Sequence, residues 1–258
     1  MMIRTIIAAL LCLGMPGAAA EVAFVAGATG RTGLEIVGEL NAAGYQVRGG
    51  TRDTARARAL HGALAEWVAA DVLDPMALDA AVAGADVVIS ALGSADFVGE
   101  GAPQFVQYLG TRLLIEAARR HRVRQMVVVG AANTGPFEDH SRIPRFGYLL
   151  FWKTKGEEYL KASGVPYTIV GASGLRDDPG GPGVRMIPRA DYAWGGTVSR
   201  RRVAEVAAAA LRDPAARNTA FALIWDEAVP PGVIAGDFRA LQAPERGPRR
   251  HEMPKYRW

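Results

Sequence analysis

The sequence predicts an α/β fold built on a doubly wound parallel sheet, and three observations predict it. Short apolar runs alternate with segments of helical periodicity, without interruption, from Glu21 to Val170. One of those runs, Asp86–Ser90 (DVVIS), is apolar almost throughout, the pattern of a parallel strand covered on both faces. The first run, EVAFV, leads directly into a glycine-rich turn, AGATGRTG, that opens a helix. Parallel neighbours need crossovers, and right-handed crossovers put helices on both faces of the sheet.

Each element follows from its own residues. Val22–Ala26 is the first strand, and Thr32–Ala43 a helix with Leu34, Val37 and Leu40 on one face. Gly44 closes that helix, and Tyr45–Gly49 is the second strand. Ala55–Ala63 is helical and Glu66–Ala69 extended. Pro75 sits at the first turn of the next helix, which runs through Ala83, and Asp86–Ser90 follows as a strand. A long helix is expected from Gln104 to His121, then a strand at Gln125–Val129. Lys153–Ser163 is expected as helix, Tyr167–Val170 as strand, Arg200–Leu211 as an alanine-rich helix and Ala220–Trp225 as a last strand. The Pro/Gly stretch Asp177–Gly183 is expected as a loop over the sheet edge, and the chain from Pro230 as a loosely ordered tail. No linker divides residues 21–258, which are expected to form a single domain.

Half of the 258 residues are apolar, enough for a substantial core. Net charge is +4, and +3 without residues 1–20, where Arg4 is the only charge. The excess basicity crowds into Arg249, Arg250, Lys255 and Arg257, a solvated tail without the basic face that nucleic acid requires. The only cysteine is Cys12, so residues 21–258 hold no disulfide, thiolate metal cluster or cysteine nucleophile. No metal-ligand spacing and no Ser/His/Asp arrangement occurs. Residues 1–20, MMIRTIIAALLCLGMPGAAA, have one early arginine, an apolar run too short to span a bilayer, and a small-residue Ala18–Ala20 end. They predict a cleavable export signal; the alternatives are an unprocessed, buried N-terminal segment or a misplaced start codon, on a cytoplasmic protein.

The turn Val25–Gly33 carries the chemistry. Gly27 permits the tight turn, Gly30 lets a pyrophosphate approach the backbone, and Gly33 lets the helix pack on the strand. Thr29, Arg31 and Thr32 sit between them, at a helix N-terminus whose free N–H groups attract phosphate. The turn therefore predicts a dinucleotide site. The second strand ends in GGTR, before Asp53, with no acid at the strand's end to accept from a ribose 2′-hydroxyl, and Arg52 stands where a guanidinium would meet a 2′-phosphate. Arg56, one turn on, and Arg31 would add charge. NADP(H) is thus preferred, with NAD(H) possible. Asp71 and Val72 after the third strand are placed for the adenine, and Ala91, Leu92 and Gly93 after the fourth for the ribose and nicotinamide.

The segments GATGRTG, TRD, ADVLD, DVVISALG and KGEEYLKASGVPYTIV together resemble the atypical short-chain dehydrogenases/reductases, in particular their NAD(P)H-binding, NmrA-like and biliverdin-reductase-B-like members. The resemblance spans about Val22 to Phe221 and implies a Rossmann NAD(P)-binding fold with a small C-terminal substrate region. It implies no particular substrate, because that family includes flavin, bilin and quinone reductases as well as redox sensors and assembly factors. It also implies a Tyr-x-x-x-Lys pair and a serine, and here the chain departs. Lys153 occupies the lysine position, but Leu149 occupies the tyrosine position, with Tyr148 one residue off. The serine region is Gly130-Ala131-Ala132-Asn133, with no hydroxyl before Thr134, and the usual Arg-Pro after TIV is Gly171-Ala172. Lys153 then stands either as a ligand of the nicotinamide ribose or as a solvated helix lysine. His140, beside Asp139, is a second candidate proton donor or a solvated loop residue. Tyr108, Trp152 and Tyr159 are expected to pack.

Two functions fit. The favoured one is an NADPH-dependent reductase of a flat or apolar small-molecule acceptor of the quinone, flavin or bilin type. Its pocket would be shaped by Asn133–Phe146 and Gly171–Ala190, with Phe137, Phe146, Tyr148 and Met186 as the apolar contacts. The other is a non-catalytic NADP-binding redox sensor or assembly factor. No residue identifies an oligomer interface.

Overall fold

The computed structural model describes residues 19–94, 96–135, 145–178, 180–193 and 195–241. Cys12, nearly all of the predicted leader, Phe137, Asp139, His140 and the basic tail lie outside the described residues.

Among the described residues nine strands form one sheet in the order β11-β8-β10-β6-β5-β4-β1-β2-β3. The strands are β1 Val22–Ala26, β2 Gln46–Thr51, β3 Glu66–Ala69, β4 Val87–Ser90, β5 Gln125–Ala131, β6 Tyr167–Ala172, β8 Val184–Pro188, β10 Thr219–Trp225 and β11 Ile234–Ala235. From β3 to β10 every neighbour is parallel; β8 then runs antiparallel to β10. A separate parallel pair joins β7 Gly174–Arg176 to β9 Thr197–Ser199. Strand order reverses between β1 and β4, and the crevice at such a switch point is where open α/β sheets bind ligands.

Both faces of the sheet are covered, as the continuous apolar runs require. Ala23 and Val25 of β1 face α1 (Arg31–Ala42) and α6 (Arg200–Arg212), whereas Phe24 and Ala26 face α3 (Pro75–Val82) and α4 (Thr111–Arg120). α2 (Thr54–His61) buries Ala57 on the first of these faces, and α5 (Phe146–Ala162) buries Leu160 on the second. Asp53, Asp74 and Ser199 cap α2, α3 and α6 by accepting backbone N–H groups with their side chains.

Four sequence expectations change. β2 extends two residues, to Thr51, because Gly49 and Gly50 pair with Trp67 and Val68 of β3. α5 begins at Phe146 rather than near Lys153; its first two turns, FGYLLFW, look strand-like but bury Gly147, Leu150 and Phe151 as a helix. The predicted helix over Gln104–His121 opens as a π-helical segment, Gln104–Gly110, before it becomes α4. Chain beyond the Asp177–Gly183 loop returns to the sheet as β8 and the edge strand β11. Within the described part of the expected tail, Pro230 to Leu241, Phe238 and Leu241 are buried, the Phe238 ring 5.8 Å from that of Phe221; the rest of it lies outside the described residues.

Candidate functional site

The glycine turn presses against the loop after β4. Gly27 has φ of +76°, and a Cβ there would lie 2.9 Å from the Ala91 carbonyl oxygen. The Gly30 N–H donates to Gly27 O at 3.0 Å and closes the turn. A Cβ on Gly33 would fall 2.1 Å from that same carbonyl, so only glycine lets α1 sit this close to β1. α1 also differs from α2, α3 and α6 in lacking a side-chain cap, which leaves its first N–H groups to a ligand. A bare helix N-terminus beside a turn too tight for side chains fits a dinucleotide pyrophosphate. Gly33→Ala is expected to lift α1 off β1, lowering stability by about 1–3 kcal/mol and NAD(P)H affinity about tenfold, measured by cofactor fluorescence and thermal melting.

From the turn a cleft of ≈ 450 Å³ runs across the C-terminal ends of β4, β5 and β6. One side is Thr32 with Ala91, Leu92 and Gly93; the other is Phe146, Leu149, Leu175 and Tyr192, with Gly195 and Gly196 at its rim. Val129–Ala131 and Ala172–Gly174 form the floor, and Lys153 of α5 stands between the halves. The tyrosine and serine positions of the resemblance, Leu149 and Ala131, are therefore in the cleft and carry no hydroxyl. Ser173 is a residue that sequence patterning did not single out. It lines the cleft, is buried, and its hydroxyl has no hydrogen-bond partner among the described residues.

Lys153 is half-buried, and its Nζ donates to Val129 O at 3.3 Å. Burial pushes its pKa down; Glu157 one turn along α5 pushes it back up, and Arg189 pushes it down again. It is therefore not a solvated helix lysine. Because its folded pKa is lowered, the unfolded chain binds the extra proton between the two values, so stability rises with pH across that interval. Lys153→Met is expected to raise Tm by a few degrees at neutral pH, read by calorimetry, and to weaken that pH dependence.

The remaining predicted residues separate. Arg52 and Arg56 are exposed, and their guanidinium groups have no partner among the described residues; the Arg56 backbone N–H donates to the Asp53 cap. Asp71 is half-buried, with Oδ1 accepting from the Leu73 N–H at 2.9 Å and Oδ2 left over. Val72 packs toward Gly110 of the π-helical segment. Thr29 is exposed on the turn. Arg31, expected to add charge for the cofactor, pairs with Asp177 at 2.8 Å, and Asp177 also holds Arg200 at 2.6 Å. Two expectations about the pocket are corrected. Tyr148 donates its hydroxyl to Gln104 at 3.0 Å and does not line the cleft. Met186 is buried in the core on β8. Tyr108 and Trp152 stack at 5.5 Å, and Tyr159 donates to Glu116 at 2.7 Å, packing roles as expected.

Beneath the cleft lies a buried ion pair that sequence patterning did not single out. Arg189, from the turn after β8, donates to Glu157 at 2.7 Å, with side-chain exposures of 0% and 4%. Thr134 lies 2.9 Å from the other Glu157 oxygen and also reaches Ala131 O. Gly130 leaves room for this pair, since a Cβ there would lie 2.4 Å from Glu157 Oε1. The buried carboxylate had no sequence signal beyond its place on the inner face of α5.

Among the described residues no helix is long and apolar enough to cross a membrane. Comparison with known proteins agrees with the geometry. The chain is 37% identical over 199 residues to an uncharacterized chloroplastic protein of Arabidopsis thaliana, covering 73% of this chain and 71% of that one. It is 33% identical to the chloroplastic protein TIC 62 of Pisum sativum over 74% of this chain, but spans only 40% of that protein's length. It is 29% identical to sanguinarine reductase of Eschscholzia californica, covering 84% of this chain and 93% of that one. Among solved structures, a Bacillus halodurans protein provisionally assigned as an NAD-dependent epimerase/dehydratase superposes with TM-score 0.73 at 22% identity, over 82% of this chain and 96% of that one. Triphenylmethane reductase of Citrobacter sp., complexed with NADP(H), superposes with TM-score 0.56 at 20% identity, over 78% and 68%. At those identities the two structures establish the shared fold. The sequence pattern of a family described as NAD(P)H-binding matches residues 27–214, from the first glycine of the turn to two residues past α6, and this chain belongs to that NAD(P)H-binding family.

Proposed function

We propose that the protein is an NADPH-dependent reductase of a flat, apolar acceptor of the quinone, flavin or bilin type. The observation that carries this reading is the continuity of the cleft, which joins the glycine turn to an apolar half lined by Phe146, Leu149, Leu175 and Tyr192. Bound NADPH would supply a hydride from its nicotinamide. Gly27, Thr29, Gly30, Thr32 and Gly33 would hold the pyrophosphate, Arg52 and Arg56 the 2′-phosphate, Asp71 and Val72 the adenine. Ala91, Leu92 and Gly93 would leave the nicotinamide side open to the acceptor. Ser173 lines the cleft, with its hydroxyl buried behind the surface rather than presented to the acceptor. The similarity to sanguinarine reductase supports the reductase class. Residues 21–258 would act as one domain behind a cleavable leader, and N-terminal sequencing of native protein would then begin near Glu21.

A second reading, an NADP-binding scaffold or redox sensor, draws on Leu149 and Ala131 in the cleft and on the similarity to TIC 62. The deciding experiment follows NADPH oxidation by residues 21–258 with quinones, flavins and bilins. Turnover of at least one acceptor is expected. Tight NADPH binding with none turned over would leave the scaffold reading.

A further inference from the structure

A reductase that delivers hydride to a carbonyl or ring needs a proton at the acceptor's heteroatom, and Tyr192, the tyrosine among the described residues that line this cleft, already donates its hydroxyl to Gly195 O at 2.8 Å. Lys153 is the cationic side chain among the described residues that line the cleft. The same side chain also borders a second, much smaller cavity of ≈ 10 Å³, shared with Ser90, Gln107, Thr111 and Glu157. Such a volume has room for about one water, with polar groups on several sides. The π-helical segment aims Gln107, 3% exposed, at this spot. Glu157 is itself immobilised by Arg189 and Thr134. Lys153 therefore stands between an open cleft and a buried carboxylate fixed in place by two groups on other elements.

We propose that Glu157, clamped by Arg189, is a positioning residue that keeps Lys153 charged at the floor of the cleft, and that Lys153 Nζ hands the acceptor its proton. This rests on the reductase reading above. As the acceptor takes up the hydride with its two electrons, charge develops on its oxygen or nitrogen. The Lys153 N–H bond breaks as the new O–H or N–H forms, leaving a neutral amine that solvent reprotonates through the cleft. Among the described residues, the charged groups acting on Lys153 are Glu157 on its own helix and Arg189 from the turn after β8, and they oppose one another. Glu157 offsets the cost of burying the ammonium, so that the proton is both retained and readily given up.

Two readouts test this. With NADPH and 2-methyl-1,4-naphthoquinone, kcat is expected to fall as pH rises through the titration of Lys153. Lys153→Arg stays charged, so it should lose that alkaline limb and about 100-fold in rate. Glu157→Gln should move the limb about one pH unit lower. Independently of turnover, the chain holds four lysines, so ¹³C-methylated side chains resolve by NMR. Lys153 should titrate below the other three, and lower still in Glu157→Gln. Should that variant not fold, Glu157→Gln/Arg189→Gln removes both charges together, and a smaller downward shift is expected. A wild type that turns over with the same alkaline limb in Lys153→Arg overturns the proton-donor role, and an unmoved Lys153 titration in the Glu157 variants overturns the positioning role. A wild type that reduces no acceptor overturns the reductase reading and the proton donor with it, while the NMR titration still decides Glu157.

Discussion

Glu157→Leu is expected to lower folding stability by about 3–5 kcal/mol, the cost of removing one partner of a buried ion pair. The Arg189 side chain has no solvent exposure and lies 2.7 Å from the carboxylate. Leucine keeps volume but withdraws the charge, and the guanidinium cannot turn to water. Thr134 loses an acceptor at the same time. Urea unfolding monitored by tryptophan fluorescence would measure the loss. Glu157→Leu combined with Arg189→Met should recover most of it, because two apolar groups of similar volume leave no charge behind. A single variant as stable as the wild type would mean that Arg189 is held by something other than Glu157.

Arg52→Ala is expected to weaken NADPH binding by about 10- to 100-fold, the range of one charge-assisted hydrogen bond, and to leave NADH binding nearly unchanged. The reason is geometric as well as electrostatic. Arg52 follows β2 directly, is exposed, and has no partner among the described residues to break first. Arg31 carries the same charge but is engaged with Asp177 at 2.8 Å, so Arg31→Ala should discriminate less between the two cofactors. Fluorescence titration with each cofactor separates these outcomes. Equal losses for NADPH and NADH in Arg52→Ala would remove the 2′-phosphate assignment. Raising the salt should narrow the NADPH preference, since an exposed arginine is screened.

Much of this protein was legible without its structure because its signals are local. Alternating strands and helices, a glycine turn between two of them and a strand apolar on both faces each follow from steric and solvation rules that act over a few residues. The parallel order β3-β2-β1-β4-β5-β6 and the placement of Thr32, Ala91, Leu92, Gly93 and Lys153 along one cleft accord with that reading. The absence of a hydroxyl at Leu149 and Ala131 was also legible, because it depends only on residue identity.

What escaped the sequence depends on chain segments far apart. The start of α5 was hidden because FGYLLFW lacks helical periodicity until a sheet and a π-helical segment cover different sides of it. β8 ends in Pro188 and β11 is two residues long; β8 pairs only because β10 offers a free edge, and β11 in turn pairs with β8. Met186 and Tyr148 look like pocket residues in a list and are taken by the core and by Gln104. The Glu157–Arg189 pair joins residues 32 positions apart, and no local pattern distinguishes a buried carboxylate from a solvated one. By itself the sequence determined the fold class and the dinucleotide turn, because backbone sterics and hydrophobic periodicity are short-range. The tertiary structure alone decided which charges are buried and what faces the cleft, because desolvation and ion pairing depend on what the rest of the chain brings alongside.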